Sequence, residues 1–222
     1  MSDSPWNEAS TVEGFVRSPP NGTLLQVAAR ELRVSGRLLD IGCGAGRNAL
    51  PLATSGWGVI GTDASEPMLK AAAARVADAE LGRRVRLVRA SMHQLPLASS
   101  LFDFIVAHGI WNLARSGREL RMAVEEAARV ARTGCALFVF TFSRRTIRES
   151  AQPLPDESFV FTEFSGQPQC FLTQEQIVRE LATHGFDPDP SLPLRELNRP
   201  TKALLYTSSG PVIYEGLFRY TR

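Results

Sequence analysis

Residues 38–48, LLDIGCGAGRN, leave this chain few ways to fold. Leu38, Leu39 and Ile41 suit a buried strand. Gly42, Cys43, Gly44, Ala45 and Gly46 follow with almost no side-chain bulk. Glycine serves where backbone bends sharply or must come close to a ligand. A small-residue turn that opens a helix presents free N–H groups to a polar or anionic ligand. Strand, turn and helix in that order put a nucleotide-cofactor site at the carboxyl edge of a parallel sheet.

Composition sets bounds around that site. A chain of 222 residues is most economically one domain, and 44% apolar residues supply a sizeable core. The net charge is +2, with 25 basic and 23 acidic residues, so nothing draws the whole chain to nucleic acid or to a membrane surface. No apolar run nears the ~20 residues of a membrane span. The first ten residues, MSDSPWNEAS, lack a basic-then-apolar signal pattern. Cys43, Cys135 and Cys170 are odd in number and widely spaced. They fit reduced thiols in a cytoplasm, with no disulfide framework and no metal site.

Periodicity orders the rest. Residues 12–16 suit a short helix, and Leu24, Leu25, Val27, Ala28 and Leu32 mark another that ends near Ser35-Gly36. A strand over 37–41, a helix over 46–55 and a strand over 57–62 follow, the last ending at Asp63. Ser65 as N-cap and Pro67 in the first turn open a helix whose inner face is Met68, Leu69, Ala72 and Val76. Strands are expected over 85–89 and 104–107. An amphipathic helix then runs to Thr133-Gly134, and a continuous apolar strand covers 135–142. Thr173 and Gln176 form a capping pattern for a helix through His184, and strands near 192–197 and 212–220 close the sheet. The alternation predicts an α/β fold: a Rossmann-like, doubly wound, seven-stranded sheet. It is mostly parallel, has an antiparallel last strand and carries helices on both faces. Residues 1–222 read as a single domain, with an N-terminal lid and helix (1–35), a cofactor core (36–142), an acceptor-side insertion (143–172) and a C-terminal helix with strands (173–222).

The dinucleotide fingerprint is G-x-G-x-x-G. Here the third glycine, Gly46, comes one place early, and Asp40 stands two before the first. That D-x-G-x-G-x-G run resembles motif I of the class I S-adenosylmethionine (SAM) dependent methyltransferases. Asp63-x-Ser65-x-x-Met68, Leu95-Pro96 and Phe102-Asp103 match the same family at the expected spacing. SAM carries a cationic amino-acid end, a sulfonium and no pyrophosphate, so a carboxylate beside the turn suits it. The resemblance covers residues 36–142 well and the remainder by element order.

The resemblance implies transfer of the sulfonium methyl, leaving S-adenosylhomocysteine. It implies that Asp63 takes the ribose hydroxyls, a place the strand tip also favours. The other expected cofactor contacts are Asp40, Gly42, Cys43, Gly44, Gly46, Asn48, Ala64, Met68, Ser91, Met92 and His108. Ser91 departs from the family, which commonly has an acidic residue there to accept from the adenine amino group. The strand ending at Ala107-His108-Gly109 lacks the N-P-P-Y of amide- and adenine-N-methyltransferases, which lowers the weight of DNA or glutamine as acceptor.

His108 is the expected general base, with His93 second, and a backbone-only role for His108 weighed equally. His184 reads as a helix-end charge. Trp6, Phe15, Arg17, Trp111, Phe159, Phe161, Phe164 and Asn198 are the expected acceptor contacts. The acceptor class is a small molecule offering O, N or S, taken by a cytoplasmic monomer or homodimer. Two other readings stay open: a SAM-binding regulatory or scaffold protein without transfer, and a NAD-dependent oxidoreductase.

Overall fold

The computed structural model describes residues 4–199 and 210–222. Five strands run parallel: β1 (Arg37–Ile41), β2 (Gly58–Asp63), β3 (Val85–Arg89), β4 (Phe102–His108) and β5 (Ala131–Phe142). β6 (Val160–Phe161) and β7 (Gln169–Cys170) make a separate small ribbon. β8 (Phe186–Pro188), β9 (Arg195–Leu197) and β10 (Ile213–Tyr220) complete the main sheet, in the order β3-β2-β1-β4-β5-β10-β8 with β9 also on β10. Within the described part of this sheet, β10 runs antiparallel to β5, β8 and β9, and the other pairings are parallel. The seventh position is shared by β8 and β9, which pair with opposite ends of β10.

Among the described residues six α-helices accompany this sheet: α1 (Ala9–Arg17), α2 (Gly22–Glu31), α3 (Ala49–Thr54), α4 (Glu66–Asp78), α5 (Gly117–Val130) and α6 (Gln174–Thr183). Strand residues alternate between two cores, because successive side chains point to opposite faces. Leu38, Phe104, Val106 and Phe138 pack with α2 and α3. Leu39, Ile105, Leu137 and Val139 pack with α5 and α6. That double burial is why these strands read as unbroken apolar runs. Among the described residues no helix is long and apolar enough to cross a membrane.

Caps form where the sequence indicates them. Ser65 accepts from Met68 N (3.3 Å), and Thr173 and Gln176 close a reciprocal capping box. Three expectations shift. The helix expected over 46–55 begins at Ala49, since the glycine turn itself uses the residues before it. The break expected at Thr133-Gly134 falls inside β5, where Gly134 (φ 81°) lets the strand bulge between its pairings with Phe102 and Phe104. Residues 143–172 do not offer an open aromatic face: Phe159 and Phe161 join the core beneath α5 and α6. The excursion expected over 198–211 lies mostly outside the described residues.

The split edge depends on a close approach. Asp189 N donates to Leu217 O, and Leu217 N donates to Leu192 O, both at 2.9 Å. A Cβ on Gly216 would sit 2.7 Å from Leu194 Cα, which is backbone and cannot yield cheaply. Gly216→Ala is therefore expected to lower unfolding stability by about 1–3 kcal/mol, as overpacking does. Denaturant melts check the stability, and amide exchange at residues 213–217 checks whether the β9 edge loosens first.

Candidate functional site

The glycine turn is tied down by β2. Cys43 N donates to Thr62 O (2.9 Å), and Gly44 N donates to Asp63 Oδ2 (2.9 Å). Ser65 N donates to the other oxygen, Asp63 Oδ1, at 2.8 Å. One carboxylate thus joins the turn, the tip of β2 and the cap of α4. Burial pushes the Asp63 carboxyl above its ordinary pKa, and the N–H groups of Ser65, Gly44 and Ala64 oppose that shift.

Above the turn lies a cleft of ~290 Å³. Of the expected cofactor contacts, Gly42, Gly44, Asp63, Ala64, Met68, Ser91, Met92 and His108 all line it. Trp6 and Phe15 close one side, edge to face with centroids 5.7 Å apart. Ser65 Oγ donates toward Trp6 O (3.0 Å) and Asn7 Oδ1 (2.9 Å), which docks the N-terminal segment on the α4 cap. Phe15 covers Gly44 so closely that a Cβ there would lie 3.4 Å from its ring.

The remaining expected residues shape the site from behind. Cys43 points at β2, where a Cβ on Gly61 would meet its sulfur at 2.8 Å, and burial drives its thiol pKa well up. Gly46 (φ 78°) packs under Leu50 and Ala72. Asn48 accepts from Asn21 N (3.0 Å) and braces the start of α2. The acceptor set mostly disperses. Arg17 is exposed and paired with Glu13 at 2.9 Å. Trp111, Phe159 and Phe161 are core. Phe164 is 46% exposed against Phe142, and Asn198 donates to Pro211 O (3.3 Å) at an exposed bend. His184 is the C-cap of α6.

Behind the turn sits a buried polar group. Asp40 is 2% exposed, and its Oδ2 has no hydrogen-bond partner. Burial raises its carboxyl to about pH 7, against the pull of Arg47 and with a smaller push from Asp63. His108 stacks on Phe140, with rings 4.0 Å apart. Its Nδ1 is 3.1 Å from Arg47 Nη2, and its Nε2 is 3.2 Å from Asn21 Nδ2. The Asn21 amide also donates to Glu215 Oε2 (2.9 Å) and caps α2 through Oδ1. Burial, then Arg47, pushes His108 down to about 3, so it is neutral at physiological pH.

At another part of the cleft wall, His93 Nδ1 and Glu119 Oε1 stand 3.3 Å apart. Arg47, Asn21, Glu119 and Glu215 escaped the sequence reading. Arg47 directly follows the motif and was legible as a nearby charge. Asn21 and Glu215 are 194 residues apart in sequence, and nothing local marks them.

This geometry has many counterparts. A family model described as "Methyltransferase domain" matches residues 38–134. A demethylmenaquinone methyltransferase from Clavibacter sepedonicus is 32% identical over 108 residues, covering 48% of this chain and 41% of that protein. The chain thus matches less than half the length of that curated relative. A SAM-dependent methyltransferase from Methanosarcina mazei superimposes with a TM-score of 0.73 at 20% identity, covering 92% of this chain and 99% of its own. The 1,6-didemethyltoxoflavin-N1-methyltransferase of Burkholderia thailandensis, solved with 1,6-didemethyltoxoflavin and S-adenosylhomocysteine, reaches 0.69 at 16% identity, covering 97% of this chain and 82% of its own.

Asp40 and His108 should shift stability in opposite directions across nearly the same pH window. The Asp40 carboxyl keeps its proton to about pH 7 when folded but only to about 3.8 when unfolded. The folded state therefore holds the extra proton, and stability falls as pH rises through that window. Asp40→Asn should be relatively more stable at pH 8 than at pH 4, by as much as ~4 kcal/mol at about 1.36 kcal/mol per pKa unit. His108 stays neutral when folded while the unfolded chain protonates below pH 6.5, so its stabilisation is lost as pH falls from 6.5 toward 3. His108→Gln should flatten that acid limb. Thermal melts of both variants from pH 4 to 8 check the two signs.

Proposed function

The chain belongs to the class I SAM-dependent methyltransferases, and from that premise we propose that it moves a methyl group to a small-molecule O, N or S nucleophile. The observation that carries this reading is a single cleft bearing both Asp63 on the glycine-turn side and the Trp6–Phe15 cover. SAM, when bound, supplies a methyl already activated on sulfonium and leaves as S-adenosylhomocysteine. The residues then have to bind, align and exclude water, and alignment alone can supply most of such a rate.

Asp63 would take the ribose hydroxyls while its other contacts keep the turn in place. Ala64, Met68 and Met92 would wall the adenine, with the Ser91 hydroxyl standing where a carboxylate is more usual. Asp40, with a buried oxygen lacking a donor, suits the ammonium of the amino-acid end. Gly42 and Gly44 let the backbone close on the ligand without side-chain interference. Trp6 and Phe15 would cover the reacting atoms and present an apolar face to an acceptor. Their apolar character and the near-neutral charge of the chain favour a small organic acceptor over a polyanion. The acceptors named for the Clavibacter relative and for the Burkholderia neighbour are likewise organic small molecules and not polyanions. Three free buried thiols fit a reducing cytoplasm, and a monomer or homodimer would suffice.

His108 would act as base only with its Nδ1 available, and Arg47 occupies that nitrogen in the structure. The proton-acceptor role is therefore conditional on Arg47, and acceptors that ionise easily would not need it.

Calorimetry with SAM and S-adenosylhomocysteine, followed by labelled-methyl transfer into metabolite fractions, tests the reading. Labelled product in a small-molecule fraction is expected. SAM binding with no acceptor labelled in any fraction would instead favour a binding protein without transfer. Asp63→Ala should weaken SAM at least tenfold, since each hydrogen bond to a charged group contributes about 1.5–3 kcal/mol. An affinity within twofold of wild type would remove Asp63 from the ribose.

A further inference from the structure

Arg47 stands directly behind the glycine turn, half-buried, with its guanidinium 5.9 Å from the Phe15 ring and bonded to His108. Both of those side chains line the cleft. A guanidinium carries five N–H donors and is suited to forked binding of a carboxylate. Yet among the described residues Arg47 makes no ion pair, and its one side-chain hydrogen bond goes to a neutral ring nitrogen, His108 Nδ1.

That bond is itself mismatched. Asn21 Nδ2 faces the other ring nitrogen at 3.2 Å, and its orientation is locked by Leu24 N–H on one side and Glu215 on the other. A neutral imidazole has one acceptor nitrogen and one N–H. Two donors aimed at both nitrogens therefore leave one contact unsatisfied. Protonation does not relieve it, since an imidazolium accepts at neither. Relief comes when Arg47 turns to an anion.

The charges around His108 say which anion. Glu215, reached through Asn21 from β10, is already paired with Arg195 at 3.1 Å. Phe140 of β5 is apolar. Asp40 of β1 is close enough to Arg47 for each to influence the other, yet they form no ion pair, and Asp40 Oδ2 lacks any donor. A cation without an anion beside a carboxylate without a donor complements a zwitterion, with ammonium and carboxylate on one carbon. The methyl donor ends in that group, and so does its demethylated product.

We propose that Arg47 binds the α-carboxylate of the methyl donor and leaves His108 Nδ1 in order to do so. Arg47 is thus a positioning residue with two alternative partners, and cofactor binding is what removes the unsatisfied donor contact at His108 Nδ1. This inference rests on the methyltransferase reading.

The test compares two probes by calorimetry: S-adenosylhomocysteine, which has the amino-acid end, and 5′-methylthioadenosine, which lacks it. Arg47→Ala should weaken S-adenosylhomocysteine at least tenfold and leave methylthioadenosine within twofold, with Arg47→Lys in between. Equal losses for both probes would mean a collapsed turn and overturn the assignment, as would no loss for either. If the wild-type protein bound neither probe, the cofactor reading itself would fall, a result distinct from a failure of Arg47. The handover has its own readout in the imidazole NMR signals, assigned with His108→Gln. S-Adenosylhomocysteine should raise the titration midpoint of His108, methylthioadenosine should not, and Arg47→Ala should raise it without either ligand. A midpoint that S-adenosylhomocysteine leaves in place would overturn the exchange of partners.

Discussion

The Asp63 carboxylate is the contact on which the remainder of the site depends. It accepts Gly44 N–H with one oxygen and Ser65 N–H with the other. Without it the glycine turn keeps only the Cys43 N–H bond to Thr62 O as its tie to β2, and the α4 cap loses its alignment. Ser65 in turn receives the N-terminal segment through Trp6 and Asn7. Floor, wall and cover of the cleft thus share one acidic side chain. The turn needs that anchor because Gly42, Gly44 and Gly46, all at positive φ, are the residue type that loses most conformational freedom on folding.

A second dependency runs from the last strand back to the first. Glu215 on β10 orients the Asn21 amide, Asn21 caps α2 and faces His108, and Asn48 holds Asn21 in place from the glycine turn. The floor of the cleft is therefore complete only when the sheet is complete. β10 also carries Arg219, which pairs with Glu31 at the far end of α2 and with Asp189 beyond β8. One strand fixes both ends of α2, and with them the approach of the N-terminal segment. Such long-range closure explains why the antiparallel strand, though remote in sequence from the glycine turn, bears on it directly.

The aromatic residues show where local reading misleads. Phe159 and Phe161 alternate, as on a strand with one apolar face, and Phe164 follows three residues on. The ribbon is only two residues long on each side, and its neighbours decide the burial. Phe159 and Phe161 fill the core under α5 and α6, while Phe164 stays exposed. Trp6 and Phe15 carry no stronger sequence signal, yet they line the cleft, because the α4 cap holds the segment that bears them. An apolar side chain gains from burial against any surface. The same residue types therefore serve core and cleft, and composition does not tell them apart.

By itself the sequence determined the sheet class, the glycine turn, Asp63 at the tip of β2 and the helix caps at Ser65 and Thr173. Each of these is a local matter: a period of two or 3.6, a missing Cβ, an oxygen within one turn of the N–H it accepts. The tertiary structure alone decided which apolar segments cover the cleft and how the seventh sheet position is shared. It also decided that His108 faces two donors at once. Those outcomes depend on groups tens to nearly two hundred residues apart, brought together by the packing of whole elements. The motif that opens the chain's core thus specifies a turn able to hold a cofactor. Only the folded molecule sets Arg47 beside His108 and within electrostatic reach of the buried Asp40 carboxyl.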